Sequence, residues 1–295
     1  MRIPQTLEQW CEDGLIDEVV GALKTGKEAD VFLVEYRGEL CAAKVYKDRE
    51  ARSFKNRSPY TEGRKVRSSR LERAMSKGSK FGHSTEEAAW KSAEVDALRA
   101  LHRAGVRVPE PLMFSEGILV MRLVVDAEGA PAPRLAELEF SETEALNLHR
   151  TLIRIIADIL AEGYVHADLS AFNVLMAADG PTVIDLPQVV SAAHNRQAPQ
   201  LLTRDIESIT QGLIRFNPGL DDPARWGATL WRLYETGELR AGMALKLDPL
   251  PHEQKGVDLG ALRRELRDVE KEKAAMDQVR TPQDPTRGIV PPMVR

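Results

Sequence analysis

Two apolar-rich runs, Val31-Phe32-Leu33-Val34-Glu35-Tyr36 and Leu40-Cys41-Ala42-Ala43-Lys44-Val45-Tyr46, flank Arg37-Gly38. Their β-branched and aromatic content predicts a hairpin. Beyond Ser84 the period lengthens to that of a helix. Ser84 with Glu87 three residues later forms a capping box, and the helix it opens runs to about His102, where Gly105 stops it. A Pro-punctuated connection from Val106 to Pro111 and a strand from Ile118 to Val124 follow. Ser141 and Glu144 make a second capping box, ahead of Leu148, Leu152, Ile155, Ile156 and Ile159 at helical spacing, and that long helix ends at Gly163. Val174-Leu175-Met176 and Thr182-Val183-Ile184 predict another hairpin, turned at Asp179-Gly180. A β-rich half with one helix followed by a mostly helical half is an α+β, two-lobed pattern.

Past Phe216 the texture changes. Trp226, Leu230, Trp231 and Tyr234 suggest one helix, and Leu259, Leu262, Leu266 and Val269 another, so residues 217–280 read as accessory helices. Five prolines or glycines among residues 281–295 suggest a disordered tail. The resulting division is a first lobe at 1–122, a reduced second lobe at 123–216, then these two segments.

Length agrees, since 295 residues at roughly 150 per domain give about two lobes. With 41 Lys+Arg against 45 Asp+Glu, the net charge of −4 announces no global nucleic-acid binder. Its distribution says more. From Lys47 to Lys80 there are twelve basic and four acidic residues, a net of +8, without a sustained apolar period. This reads as a long basic insertion, about 47–83, that is either a solvated loop or a contact for RNA. No apolar run approaches the ~18 residues of a membrane span, and the start, Met1-Arg2-Ile3-Pro4, has no apolar leader region, so a cytoplasmic, membrane-free protein is expected. Cys11 and Cys41 are too few for a disulfide framework and are expected to be reduced packing residues.

The most specific segment is His166-Ala167-Asp168-Leu169-Ser170-Ala171-Phe172-Asn173, followed at a hairpin's distance by Val183-Ile184-Asp185. Asp168, Asn173 and Asp185 would surround one hole with oxygen-bearing side chains, which suits Mg²⁺. Each aspartate alone would be an ordinary turn or strand-end residue, but their joint spacing argues against that. Lys44 lies in a run apolar enough to require a reason for its charge. Glu94 lies four after Trp90, four before Leu98 and seven before Leu101, which puts a carboxylate on an apolar helix face where it needs a partner. The two are each other's natural partners.

The pattern H-x-D-x-x-x-x-N followed by Asp resembles the catalytic and metal loops of the protein-kinase-like fold. Within that fold the chain resembles the RIO family of atypical serine/threonine kinases, bacterial type. Four stretches carry the resemblance: Thr25-Gly26-Lys27-Glu28-Ala29-Asp30-Val31, Ala43-Lys44-Val45-Tyr46-Lys47, His166 to Asn173, and Ile184-Asp185-Leu186-Pro187-Gln188. Together they span about residues 24–205. The resemblance implies an ATP- and Mg²⁺-dependent phosphotransferase, with Mn²⁺ as an alternative metal, acting on a protein serine or on itself. Asp168 would be the catalytic aspartate, and Lys44 with Glu94 the pair that holds the nucleotide phosphates. Thr25, Gly26 and Lys27 would contact phosphate, with Val31, Ala42, Met121, Leu123, Leu175 and Ile184 around the base and Asn173 and Asp185 on the metal.

Several departures from ordinary protein kinases shape the expectation. Lys24 and Ala29 stand where the outer glycines of the phosphate loop would be, and Ser170 occupies a common lysine position. Leu186-Pro187 replaces Phe-Gly. Only 19 positions separate Asp185 from Arg204, with no Ala-Pro-Glu, so a peptide-gripping activation segment is not expected. Two other readings stand beside the kinase. One is an ATPase that works through a phosphorylated Asp185 as a ribosome or RNA assembly factor, as the family resemblance implies. The other is a small-molecule kinase of the aminoglycoside or choline type, which shares the loop pattern but not the Thr25–Val31 turn.

Overall fold

The computed structural model describes residues 3–47, 93–220 and 222–245, all within one compact unit of residues 1–247. The basic insertion after Lys47, the Ser84–Glu87 capping box, the Leu259 helix and the Pro/Gly-rich tail lie outside the described residues.

Helix α1 (Gln5–Glu12) leads into strands β1 (Glu18–Thr25), β2 (Ala29–Tyr36) and β3 (Glu39–Tyr46). After helix α2, residues 93–103, come β4 (Pro111–Ser115) and β5 (Ile118–Arg122). The five strands form one antiparallel sheet in the order β1-β2-β3-β5-β4. The expected hairpin is β2–β3. Arg37 and Gly38 both take positive φ, 56° and 75°, as a two-residue turn matched to strand twist requires. Elements α1, β1 and β4 were not anticipated, and the strand expected to reach Val124 stops at Arg122.

The sheet has two different faces. On one, Phe32, Val34, Cys41, Ala43, Ile118 and Val120 close a buried cluster with Leu7, Trp10 and Ile16 from α1 and its exit. Cys41 and Cys11 are both free, as expected. On the other face α2 contributes Val95, Leu98 and Leu101 to a second, larger cluster. That cluster continues through α3 (Glu142–Ala161), the strands β6 (Tyr164–Val165), β7 (Val174–Ala177), β8 (Gly180–Val183) and β9 (Val190–Ser191), and the helices α4 (Ala198–Leu213) and α5 (Pro223–Glu235).

The capping box at the start of α3 is present, with the Glu144 N–H donating to Ser141 Oγ at 3.3 Å and the Ser141 N–H to Glu144 Oε2 at 2.8 Å. Gly163 ends the helix region at φ 81°. The β7–β8 hairpin differs by one position from expectation. Ala177 pairs with Gly180, so the turn is Ala178-Asp179 and Gly180 belongs to the strand. The change of texture at Phe216 marks no structural break. The Asn217 Nδ2 donates to the Glu142 carbonyl at 3.1 Å, and Trp226, Leu230 and Leu233 of α5 are buried in the main cluster. Among the described residues no helix is long and apolar enough to cross a membrane.

Helices α4 and α5 touch where a glycine lets them. A Cβ on Gly227 would lie 2.3 Å from Thr203 Oγ1 and 3.2 Å from its Cα. Alanine is the better helix former by about 1 kcal/mol, yet overpacking at so close an approach costs roughly 1–3 kcal/mol and exceeds that gain. Gly227→Ala is therefore expected to lower the melting temperature, and Thr203→Ala in the same chain to restore part of the loss. A Gly227→Ala protein as stable as its parent would place the helices further apart than described.

Candidate active site

Strand alternation sends Ala42, Lys44 and Tyr46 to the face away from α1. Antiparallel register sets Val31 opposite Lys44 and Met121 opposite Ala42, so these side chains share that face. Lys44 is only 8% exposed, and a buried ammonium demands partners. It donates to Glu94 Oε1 at 2.6 Å and to Asp185 Oδ1 at 2.7 Å. Glu94, 4% exposed, comes from α2 as its place on the apolar face predicted. Its second oxygen accepts from the Tyr46 hydroxyl at 2.8 Å. Burial alone would lower the Lys44 pKa, but the two carboxylates outweigh it and hold the ammonium above its ordinary range. Burial would likewise raise Asp185, and Lys44 beside it wins and holds it below the carboxylate range.

The His166–Asn173 loop follows β6 and is held by α4. Asp205 accepts from the Ala167 N–H at 2.7 Å and from the Leu169 N–H at 3.0 Å, while the Arg204 guanidinium donates to the Ala167 carbonyl. Those bonds fix Ala167 at φ 67°, a left-handed conformation costing an L-residue about 1–2 kcal/mol. The Asp168 N–H donates to His166 Nδ1 at 3.3 Å. That assigns the ring proton to Nε2, which donates to the Ile184 carbonyl at 3.1 Å. The Ile184 N–H donates to the Asn173 carbonyl at 3.0 Å, and the Asn173 Nδ2 to the Asp168 carbonyl at 2.9 Å. Asp168, Asn173 and Asp185 are thus tied into one backbone network. Burial pushes the Asp168 carboxyl up, and the nearby Asp185 charge adds to this.

The turn after β1 is tight. The Gly26 N–H donates to the Ala29 carbonyl at 3.0 Å, and a Cβ on Gly26 would sit 2.8 Å from that oxygen. Lys47 donates from Nζ to the Gly26 carbonyl at 2.8 Å and pairs with Asp30 Oδ1 at 2.8 Å, fastening the turn to the end of β3. Thr25 and Lys27 are exposed beside it. Leu175 is placed by the Arg134–Leu175 bridge, and Leu123, half-buried, lies just past β5.

Sequence reasoning missed Tyr46, Lys47, Arg204 and Asp205 as parts of the site. Asp205 carries the same signal that exposed Glu94, an acid among Leu201, Leu202, Ile206 and Ile209 on a buried helix face. Tyr46 shares the period-two face of Lys44.

Among the described residues there is no cluster of three His, Cys, Asp or Glu able to hold a metal. Two oxygen donors remain, Asp185 and the Asn173 amide, whose Nδ2 is engaged and whose Oδ1 is thereby the atom left for a cation. A pair of this kind fits Mg²⁺, which takes few protein ligands and fills its shell with water and phosphate oxygens.

A protein-family model described as the RIO domain matches residues 30–221. The human serine/threonine-protein kinase RIO1 is 31% identical over 204 residues, covering 68% of this chain and 34% of the relative. The Haloferax volcanii RIO-type serine/threonine-protein kinase Rio1 is 31% identical over 201 residues, 67% of this chain and 64% of the relative. The chain thus spans less than two thirds of the length of these relatives. The solved Rio2 kinase–ADP/Mg²⁺–phosphoaspartate complex from Chaetomium thermophilum aligns with a TM-score of 0.52 at 22% identity, over 77% of this chain and 64% of that one, and shares the two-lobed kinase-like fold.

Burial pushes the Asp205 carboxyl up to about 6, against about 3.9 when unfolded. The folded chain therefore holds that proton more tightly, and ionising Asp205 removes stability as pH rises from about 4 to about 6. Asp205→Asn cannot ionise. In thermal denaturation from pH 4 to pH 7, the parent should lose melting temperature relative to the variant as pH rises, and a difference that stays flat would contradict the burial of an ionisable group here.

Proposed function

The chain belongs to the RIO family, and from that premise we propose that it is an ATP- and Mg²⁺-dependent phosphotransferase of the serine/threonine protein kinase type, acting in the cytoplasm. The observation that carries this reading is the Lys44 ammonium bonded at once to Glu94 and Asp185 beside the Asp168 loop. Phosphoryl transfer asks a protein mainly for positioning and for neutralisation of charge. Lys44 supplies the cation for the nucleotide phosphates and Glu94 orients it. Val31, Ala42, Met121, Leu123, Leu175 and Ile184 would enclose the base, and the Thr25-Gly26-Lys27 turn would cover the phosphates. Asp185 and Asn173 would hold Mg²⁺ (or Mn²⁺), which supplies charge neutralisation at the transferred group. Asp168 takes the proton of the acceptor hydroxyl as its oxygen bonds to the γ-phosphorus and ADP leaves with the electron pair of the broken P–O bond.

A second reading is favoured by a specific feature. Asp185 retains 43% side-chain exposure, sits at φ 69° and is bonded to the Lys44 ammonium, and the solved Rio2 neighbour carries a phosphoaspartate. In this mode an Asp185 carboxylate oxygen bonds to the γ-phosphorus as ADP leaves with the electron pair of the broken P–O bond, and water then attacks the acyl phosphate to give inorganic phosphate and the free carboxylate. The +8 segment from Lys47 to Lys80 would give an ATPase of this sort a salt-sensitive grip on RNA or ribosome.

With γ-labelled ATP and a generic protein acceptor, Lys44→Ala, Asp185→Ala and Asp168→Asn should each cut phosphoryl transfer at least about 100-fold while keeping the circular dichroism spectrum of the folded parent. Near-normal transfer by any of them would refute this placement of nucleotide and base. Label on the protein that hydroxylamine removes marks the phosphoaspartate mode, whereas resistant label marks phosphoserine.

A further inference from the structure

We propose that Tyr46 is a positioning residue of this site, whose hydroxyl fixes the Glu94 carboxylate so that Glu94 can hold Lys44 while Lys44 changes partner. The proposal rests on the kinase reading above and gives a role to a residue to which the motif pattern assigned none.

In the structure Lys44 divides its protons between Glu94 at 2.6 Å and Asp185 at 2.7 Å. If Asp185 is to meet a cation and Lys44 a phosphate, the Lys44–Asp185 bond must be given up. Glu94 is then the anchor that keeps Lys44 in place. A carboxylate held by one mobile ammonium alone can rotate about its last bond, but the Tyr46 hydroxyl binds the other oxygen at 2.8 Å and removes that freedom. Tyr46 is itself immobile. It is 5% exposed, and its ring packs edge-on against Phe114 at 6.4 Å. The Lys44 ammonium lies 5.2 Å from the ring centroid, so the same side chain offers the ammonium its π face. Burial and the Glu94 charge both push the phenol pKa up, so the hydroxyl remains a donor throughout the working range of pH. Strand period explains the placement: Tyr46 is two residues after Lys44, on the same face of β3.

Tyr46→Phe keeps the ring, its packing and its π face and deletes only the hydrogen bond. A hydrogen bond to a charged group contributes about 1.5–3 kcal/mol, and each 1.36 kcal/mol is a tenfold change, so kcat/KM for ATP should fall about 10- to 100-fold. The loss should appear in both kcat and KM, because Lys44 is misplaced in the ground state and in the transition state. The melting temperature should shift far less than in Tyr46→Leu, which also loses the ring.

A double-mutant cycle decides the route. If Tyr46 acts through Glu94, Tyr46→Phe adds little once Glu94→Gln is present. An active parent with an unchanged Tyr46→Phe, or losses that multiply in the double variant, overturns the positioning role and leaves the kinase reading standing. A parent that neither binds Mg-ATP in calorimetry nor transfers phosphate overturns both.

Discussion

One ammonium, Lys44 Nζ, joins three parts of the chain that the sequence sets far apart: the strand β3, the helix α2 through Glu94, and the loop at the end of β8 through Asp185. Of these groups Lys44 and Glu94 are almost fully buried and Asp185 is the half-exposed one. The three carry one positive and two negative charges, and an excess of negative charge in a partly dry site is costly unless something offsets it. The half-exposed member is where an added cation can do so. A site that is locally over-supplied with carboxylate is therefore biased toward an added cation.

The second lobe serves that arrangement by holding its loop rigid. Ala167 and Asp185 both sit at positive φ without being glycine, at 67° and 69°. Strain of this kind persists only where the surroundings over-determine the backbone. For Ala167 the surroundings are explicit. Its N–H is taken by Asp205, its carbonyl by Arg204, and the following loop residue Leu169 by Asp205 again. Two adjacent residues of α4 thus offset the cost of a strained His166–Asn173 loop, and α4 in turn is braced by α5 through the Gly227–Thr203 approach.

The legible parts of the sequence were those where one local rule dominated. The capping box at Ser141, the turn at Arg37-Gly38 and the burial of Glu94 each follow from periodicity or turn chemistry within a few residues. Strand β1 was not legible, because only Val19 and Gly21 are even partly covered along its eight residues and no alternation survives. Helix α1 buries just Leu7 and Trp10, too few positions to show a period, and it forms because the sheet face beneath it is apolar. The one-residue slip at Asp179 came from reading Asp-Gly as the turn centre, whereas Gly180 is used inside the strand at φ 123°. Lys44, Asp168, Asn173 and Asp185 were singled out by motif. The bonds that Tyr46 makes to Glu94 and Asp205 to the Ala167 loop emerge only when buried polar atoms are followed to their partners.

The route of the chain after Asp185 bears on what the site can recognise. Ordinary protein kinases grip peptides with a long segment in this place. Here Val190 of β9 pairs with Val165 of β6, directly before the His166–Asn173 loop, and the Ala192 N–H donates to the Gly163 carbonyl at 2.8 Å. Within a few residues α4 begins. The segment is consumed in bracing the loop, and none of it is left to form a platform for an extended substrate. Chemistry and recognition are therefore separated in this fold. On the proposed reading the described residues would position nucleotide and accept a proton, and the selection of an acceptor would rest on surfaces outside that short return.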